Sequence, residues 1–203
     1  MKPILFIIFF LAGFYSYSQE HEIIELSFKD KSNFDLTTFL DNKKPTKYFV
    51  LKATDIWNKY RFHLDENIKI DSIRKALESD EHSYYNHSYI FSDSTIDNLF
   101  NDTEKTHLYL MTLSIKSKNL TADFKEFSII SSFKTAKNGF FFSISQPIFS
   151  TDKQFAFIDI AAHKKDNETE DLNQSYFGKI LLIYQNIKNK GWTRIKKVKY
   201  LIL

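Results

Sequence analysis

Four side chains in the C-terminal third of the chain could carry acid–base or nucleophilic chemistry. They are Asp159 and His163, in the run FAFIDIAAH, and the serines Ser143 and Ser145. A carboxylate among apolar neighbours is either desolvated or directed into a pocket, and both situations perturb its pKa. Asp159 and His163 share one face of a regular strand but lie about 13 Å apart along it, so an acid–base pair requires a bend. We therefore favour a salt bridge from Asp159 to a lysine on a neighbouring strand.

The sequence contains little else that indicates a metal or cofactor site. His82 and His87, with Glu81, are spaced by five in a polar segment, which is not the i, i+4 pair of a helical metal site. Glycine-rich phosphate loops, G-x-S-x-G and H-E-x-x-H patterns do not occur among the four glycines and six histidines. The absence of cysteine excludes disulfides, thiolate zinc sites and a cysteine nucleophile. We predict no metal and no cofactor.

The charge composition gives no reason to expect a nucleic-acid partner. The 28 basic residues include only three arginines, and the formal net charge is +3. Bidentate recognition of phosphate and bases favours the planar guanidinium group, and a small dispersed charge does not concentrate a polyanion. A protein or a small ligand is the expected partner.

The first 18 residues have the pattern of a secretory signal peptide. Lys2 precedes an apolar run from Ile4 to Phe14, and the small residues Ser16 and Ser18 precede a plausible cleavage site before Gln19. The apolar run is shorter than the roughly 20 residues that span a bilayer, so we predict no stable membrane span after cleavage. Residues 19–203 then form a single domain of an exported protein, periplasmic or extracellular.

The first half of that domain shows helical spacing in several places. We predict helices over Asn33–Leu40, Ile56–Leu64, Asp65–Leu77 and Thr103–Lys116, and a short helix that begins at Ser94. For Thr103–Lys116 a strand is the alternative, because Leu108, Leu110 and Thr112 alternate. Glu22–Phe28 alternates as a strand or extended arm does, and Tyr48–Leu51 is a run of β-prone residues. The segment Asp80–Tyr89 is polar and reads as a loop.

After Asn119 short β-prone runs replace the helical spacing. We expect strands at Phe127–Ser131, Gly139–Ser145, Phe155–Ala162, Ile180–Tyr184 and Trp192–Leu203. The connections are mostly too short for crossover helices, so the prediction is an antiparallel meander of about five strands. The predicted fold class is α+β, with the helical N-terminal half packed on one face of this C-terminal sheet.

Local turn chemistry fixes two connections between these strands. Pro147 cannot donate to a ladder, so the strand before it should end near Ser145. The side chains of Ser150, Thr151 and Asp152 can accept hydrogen bonds from nearby backbone amides and hold a turn. The triplet Asn189–Gly191 is typical of a hairpin, with positive φ at the glycine.

Alternation along the two central strands leaves too many phenylalanines for a solvated face. One face carries Phe142, Ile144, Ile158 and Ile160, which suits packing by helices. The opposite face holds Phe141, Phe155 and Phe157 with Ser143 and Asp159, so something must cover it. Either a segment such as Phe34–Leu40 lies over that face, or the sheet curves into a groove for a partner. The candidate binding residues are Phe141, Phe149, Asp152, Phe157 and Asp159.

One run in the chain has a family resemblance. Ser145, Pro147, Ile148, Phe149, Ser150 and Asp152, followed by Ala156, Gly178 and Trp192 with Ile195, resemble a group of small exported proteins from Bacteroidota. The resemblance covers about the last third of the chain and implies an exported α+β domain, but no activity. We therefore expect a non-enzymatic binding protein of the cell envelope or secreted fraction. The alternative is a hydrolase-like enzyme built around Asp159 and His163, or around Ser143 and Ser145.

Overall fold

A seven-stranded sheet forms the centre of the protein. The computed structural model describes residues 19–34, 48–57, 61–62, 89–120 and 127–201. The strands are β1 (Tyr48–Leu51), β2 (Phe127–Ile130), β3 (Gly139–Ile144), β4 (Ile148–Phe149), β5 (Phe155–Lys165), β6 (Tyr176–Ile187) and β7 (Gly191–Leu201). Within the same ranges there are three α-helices, namely α1 over residues 19–29, α2 (Ser94–Asp97) and α3 (Asp102–Ser114).

The sheet is mixed. Its strand order is β2-β1-β3-β5-β6-β7, with the two-residue β4 pairing separately with β5. β1 runs parallel to both of its neighbours, with Tyr48 opposite Phe127 in β2 and Val50 opposite Phe142 in β3. The pairs from β3 through β7 are antiparallel.

The predicted fold class is therefore wrong. The described part of the chain is mostly β, and its three short helices do not form an N-terminal half packed on a meander. In the predicted meander the consecutive strands β2 and β3 would pair with each other. In the structure β1 lies between them, so the predicted strand order is wrong. The five predicted strand locations and the helices near Ser94 and Thr103 are nevertheless present.

Helix α1 replaces the strand or arm that was expected over Glu22–Phe28. Residues 23, 24, 27 and 28 are buried, which is the spacing of one helical face. Ser27 Oγ donates to the Ile23 carbonyl oxygen, one turn earlier, at 2.8 Å. The alternation of apolar residues at 24, 26 and 28 is compatible with either structure, and packing on the sheet selects the helix.

Helices cover both faces of the sheet. The first face, defined by Phe142, Ile144, Ile158 and Ile160, packs against Ile23 and Phe28 of α1 and against Phe34. The second face carries Phe157, Leu181 and Ile183 and packs against a cover that is formed by Trp57, Phe62, Ile90, Phe91, Ile96, Phe100 and Leu108.

The second face is thus covered by the chain itself, and the open groove is not found at these residues. Phe157 is 0% exposed, and its ring contacts those of Phe62 and Phe100. The Trp57 indole Nε1 donates to the Gln146 carbonyl oxygen at 2.7 Å and ties the cover to the sheet. Phe34, the one described residue of the predicted covering segment Phe34–Leu40, packs on the first face instead, at 5.2 Å from the Phe142 ring.

The turn between β4 and β5 uses the predicted side chains of Ser150 and Asp152. Ser150 Oγ accepts from the Phe155 amide at 2.9 Å, and Asp152 Oδ1 accepts from the Gln154 amide at 3.0 Å. The strand before Pro147 ends at Ile144. In the β6–β7 hairpin Gly191 has φ +71°, as the turn signal indicated.

Trp192 should contribute strongly to stability. Its side chain is buried on the first face at the start of β7, where it packs against the Phe149 ring at 5.8 Å. We expect Trp192→Ala to lower the free energy of unfolding by about 3 to 5 kcal/mol, measured by urea denaturation. Ile195→Ala, on the same strand but 40% exposed, should change it by less than about 0.5 kcal/mol. Equal effects of the two substitutions would contradict the packing of Trp192.

Several predictions lie outside the described residues. These are the signal peptide over residues 1–18, the helix over Asp65–Leu77, most of the segments Phe34–Leu40 and Ile56–Leu64, and the histidines His82 and His87. Within the described ranges, no helix is long and apolar enough to cross a membrane.

Candidate functional site

A polar cluster occupies one end of the second face. Ser143 on β3 and Lys179 on β6 both stand opposite Ala161 on the intervening strand β5, so a small methyl group lies between them. Asp159 and His163 flank Ala161 two residues away on the same face of β5. Strand alternation and register alone therefore place a hydroxyl, an amine, a carboxylate and an imidazole together.

Ser143, His163 and Ser175 form a directed chain of hydrogen bonds. Ser175 Oγ donates its proton to the Leu172 carbonyl oxygen at 2.6 Å and so accepts from His163 Nδ1 at 3.1 Å. This assigns the ring proton to Nδ1 and leaves the Nε2 lone pair as an acceptor. Ser143 Oγ lies 2.9 Å from Nε2 and donates to it. The result is a serine hydroxyl bonded to a neutral histidine whose other nitrogen is held in place.

Asp159 belongs to a buried ion-pair network. Its Oδ2 lies 3.2 Å from Arg61 Nη2 and 3.3 Å from Lys179 Nζ, and its side chain is 1% exposed. The predicted salt bridge from Asp159 to a lysine on a neighbouring strand is confirmed, and the lysine is Lys179. Two cations around one buried carboxylate compensate the desolvation that isolation would impose.

Asp55 connects the two groups of side chains. Its Oδ2 lies 3.2 Å from Ser143 Oγ, where it competes with His163 Nε2 for the single hydroxyl proton, and 4.0 Å from Lys179 Nζ. Its backbone amide donates to the Ile144 carbonyl oxygen, which fixes it beside the end of β3. With its side chain 29% exposed, Asp55 is where this otherwise buried network meets solvent.

Burial lowers the pKa of His163 to about 4, with the nearby Lys179 acting in the same direction and Asp55 opposing it. The ring is stacked on Phe141, with 4.9 Å between the ring centroids, and is 2% exposed. At neutral pH the imidazole is therefore uncharged, which agrees with the hydrogen-bond pattern.

This depressed pKa predicts a loss of stability in acid. Between pH 6.5 and about 4 the unfolded chain binds a proton at His163 while the folded chain does not, so stability falls as the pH falls through this window. The free energy of unfolding should therefore be about 3 kcal/mol lower near pH 4 than above pH 6.5. Urea denaturation across this range should show it. His163→Gln should remove this part of the pH dependence, whereas His21→Gln, at an exposed position of α1, should not.

The candidate binding residues of the sequence analysis do not form one site. Phe157 and Asp159 are buried under the cover of the second face, whereas Phe141 is buried in a separate apolar cluster with Leu51 and Ala136. Phe149 is half-buried against Trp192. Asp152 is exposed in the β4–β5 turn. Asp159 and His163 have no hydrogen bond to each other, and His163 bonds Ser143 on the adjacent strand instead.

Four residues of the cluster were not predicted individually. Lys179 was detectable, as the one charged residue of the run GKILLIY within a buried strand. Asp55, Arg61 and Ser175 reach the cluster from other segments, and nothing in their local sequence distinguishes them from surface residues.

A separate, open concavity lies at the end of the sheet beside Asp152. It has a volume of about 660 Å³ and is lined by Gln19, Asp152, Lys153, Gln154, Gln185, Asn186, Ile187 and Lys188. The Asn186 amide donates to the Gln154 carbonyl oxygen at 2.8 Å, so the turn and the β6–β7 hairpin that form its walls are joined. Among the residues that the structure describes, no group of three histidines or acids is placed to bind a metal ion.

Comparison with known proteins leaves the chain without an assigned relative. No family model, no curated protein and no solved structure matches it. The resemblance of the Ser145–Asp152 run to small exported proteins therefore stays a prediction.

Proposed function

We propose that the protein is exported and acts by binding a polar partner, a small ligand or a protein loop, at the concavity beside Asp152. The observation that carries this proposal is the concavity itself, whose volume of about 660 Å³ falls in the range of roughly 300–1,000 Å³ that is typical of ligand sites. Asp152 was already a candidate binding residue from the sequence.

The chemistry of the lining favours a polar partner with an anionic group. Gln19, Gln154, Gln185 and Asn186 offer carboxamides that both donate and accept hydrogen bonds. The two lysines outnumber the one aspartate. Asp152 supplies the one carboxylate among these lining residues. It already accepts hydrogen bonds from Ser150 Oγ and the Gln154 amide.

The walls of the concavity are held before any partner arrives. The Thr151 amide donates to Glu104 Oε1 of α3 at 2.8 Å, which anchors the turn to a helix. The hairpin on the other side is closed by the bond from the Lys190 amide to the Ile187 carbonyl oxygen at 2.9 Å. Preorganised walls reduce the ordering cost of association.

A site-specific photo-crosslinker tests the binding proposal in the native host. Benzoylphenylalanine at the exposed position Asn186 should give one discrete adduct. The same group at Lys134, exposed at the opposite end of the sheet, should give none. The added substitution Lys188→Glu should lower the yield of the adduct at position 186 if the partner is anionic. No adduct at Asn186, or the same adduct at both positions, would refute the proposal.

Export is supported by the pattern of Lys2, the apolar run Ile4–Phe14 and the small residues Ser16 and Ser18. We expect the protein isolated from the periplasm or medium of its host to begin at or near Gln19. Intact-mass spectrometry measures this directly. Recovery of the full 203-residue chain in the membrane fraction would show instead that the leader is retained.

A further inference from the structure

The hydrogen-bond chain at Ser143 has the arrangement of an activated nucleophile. Such sites place a hydroxyl within about 2.6–3.2 Å of a base, and a third group orients that base. Ser143 Oγ lies 2.9 Å from His163 Nε2, and Ser175 Oγ lies 3.1 Å from Nδ1. The Leu172 carbonyl oxygen in turn fixes the direction of the Ser175 hydroxyl.

We propose that Ser143 is a catalytic nucleophile and His163 its general base, acting on a carboxylic ester. This activity goes beyond the binding function proposed above and uses a different part of the molecule. It also replaces the pair of Asp159 with His163, because the base contacts the serine of the neighbouring strand.

The proposed reaction follows from these contacts. Ser143 Oγ attacks the ester carbonyl carbon as its proton passes to His163 Nε2. The C–O bond to the alcohol then breaks, and the alcohol leaves with the proton from His163, leaving an acyl-serine. A water molecule, deprotonated by the same nitrogen, attacks the acyl carbon. The carboxylic acid is released, and the proton returns to Ser143 Oγ.

The charges beside Ser143 balance one another. Lys179 Nζ lies 4.0 Å from Asp55 Oδ2, the carboxylate oxygen that also contacts Ser143 Oγ, and 3.3 Å from Asp159 Oδ2. The formal charges of Arg61, Lys179, Asp55 and Asp159 sum to zero. A neutral ester fits this cluster better than a charged substrate.

Access to the serine passes by Asp55. Ser143 is 1% exposed, but the Asp55 carboxylate that contacts its hydroxyl is 29% exposed. In this proposal a reagent approaches Ser143 from the side of Asp55, after rotation of the Asp55 side chain has broken the 3.2 Å contact with Oγ. Asp55→Ala should therefore leave the serine reactive and increase its rate of modification.

A fluorophosphonate probe tests the proposal on the whole mature chain, because it modifies activated serines without requiring a known substrate. We expect stoichiometric modification of the wild-type protein at Ser143, located by peptide mass spectrometry. Ser143→Ala should abolish it, and His163→Ala should slow it by about 10²-fold or more. Ser145→Ala is the matched control, since Ser145 is also 1% exposed and lies two residues further along the chain. The Ser145→Ala variant should be modified at Ser143 at the wild-type rate.

The proposal is overturned if the folded wild-type protein is not modified, or if the modified residue is not Ser143. It is also overturned if His163→Ala reacts at the wild-type rate while circular dichroism shows it folded. Release of p-nitrophenol from p-nitrophenyl acetate above the level of Ser143→Ala should accompany modification. If the wild-type protein releases p-nitrophenol no faster than Ser143→Ala does, the assignment of an ester substrate is overturned.

Discussion

Replacing Phe157 with aspartate should abolish folding of the protein. The Phe157 side chain is 0% exposed and lies between Ile148 and Ile183 of the flanking strands. A carboxylate at this position loses its hydration among the apolar side chains that pack on Phe157, at a cost of several kcal/mol, in addition to the loss of the ring. Small domains are stable by only about 5–15 kcal/mol, so this single change removes most of that margin.

Circular dichroism and urea denaturation measure this effect, and the edge strand provides the control. Ile195→Asp introduces the same charge on β7, where the side chain is 40% exposed, and this variant should remain folded. A Phe157→Asp protein that stays folded and monomeric would mean that the second face is open, as the groove hypothesis required. It would contradict the packing of Phe62 and Phe100 on that ring.

The features that were predicted from the sequence are those determined by near neighbours in the chain. The turn at Ser150 and Asp152 depends on hydrogen bonds that span two to five residues. The strand runs after Asn119 contain β-branched and aromatic residues, and their burial on both faces agrees with their continuous apolar character. The excess of phenylalanines on the second face correctly indicated that something covers it.

Strand order could not be predicted in the same way. β1 pairs with β2 through Tyr48 and Phe127, and with β3 through Val50 and Phe142, across long stretches of intervening chain. A four-residue β-prone run contains no signal for its partner or its direction. The short connections between later strands suggested a meander throughout, and the insertion of β1 overrides that local rule.

The candidate site shows the same division. A charged partner for Asp159 was predictable, because a carboxylate inside an apolar strand requires compensation. The hydrogen bond between Ser143 and His163 was not, because it crosses between strands on a diagonal of the register. Arg61 and Asp55 come from the segment that covers the sheet. They are far from β5 in the sequence, so their contacts with the cluster could not be predicted from local patterns.

The cationic compensation of Asp159 should make this carboxylate one of the most sensitive positions in the chain. Asp159→Leu leaves the buried Arg61 and Lys179 without the carboxylate oxygen that both approach within 3.3 Å. Breaking a buried ion pair from one side costs about 3–5 kcal/mol, because the remaining charge stays desolvated. Urea denaturation at pH 7 should show this loss.

The double variant Asp159→Leu, Lys179→Met distinguishes the charge effect from packing. Removing the lysine as well eliminates one uncompensated cation, so the double variant should be more stable than the sum of the two single changes predicts. Glu20→Leu removes one member of the exposed pair with Lys118 and should cost at most about 1 kcal/mol. If Asp159→Leu costs no more than Glu20→Leu, or if the two buried substitutions simply add, the network does not stabilise the cover of the second face through its charges.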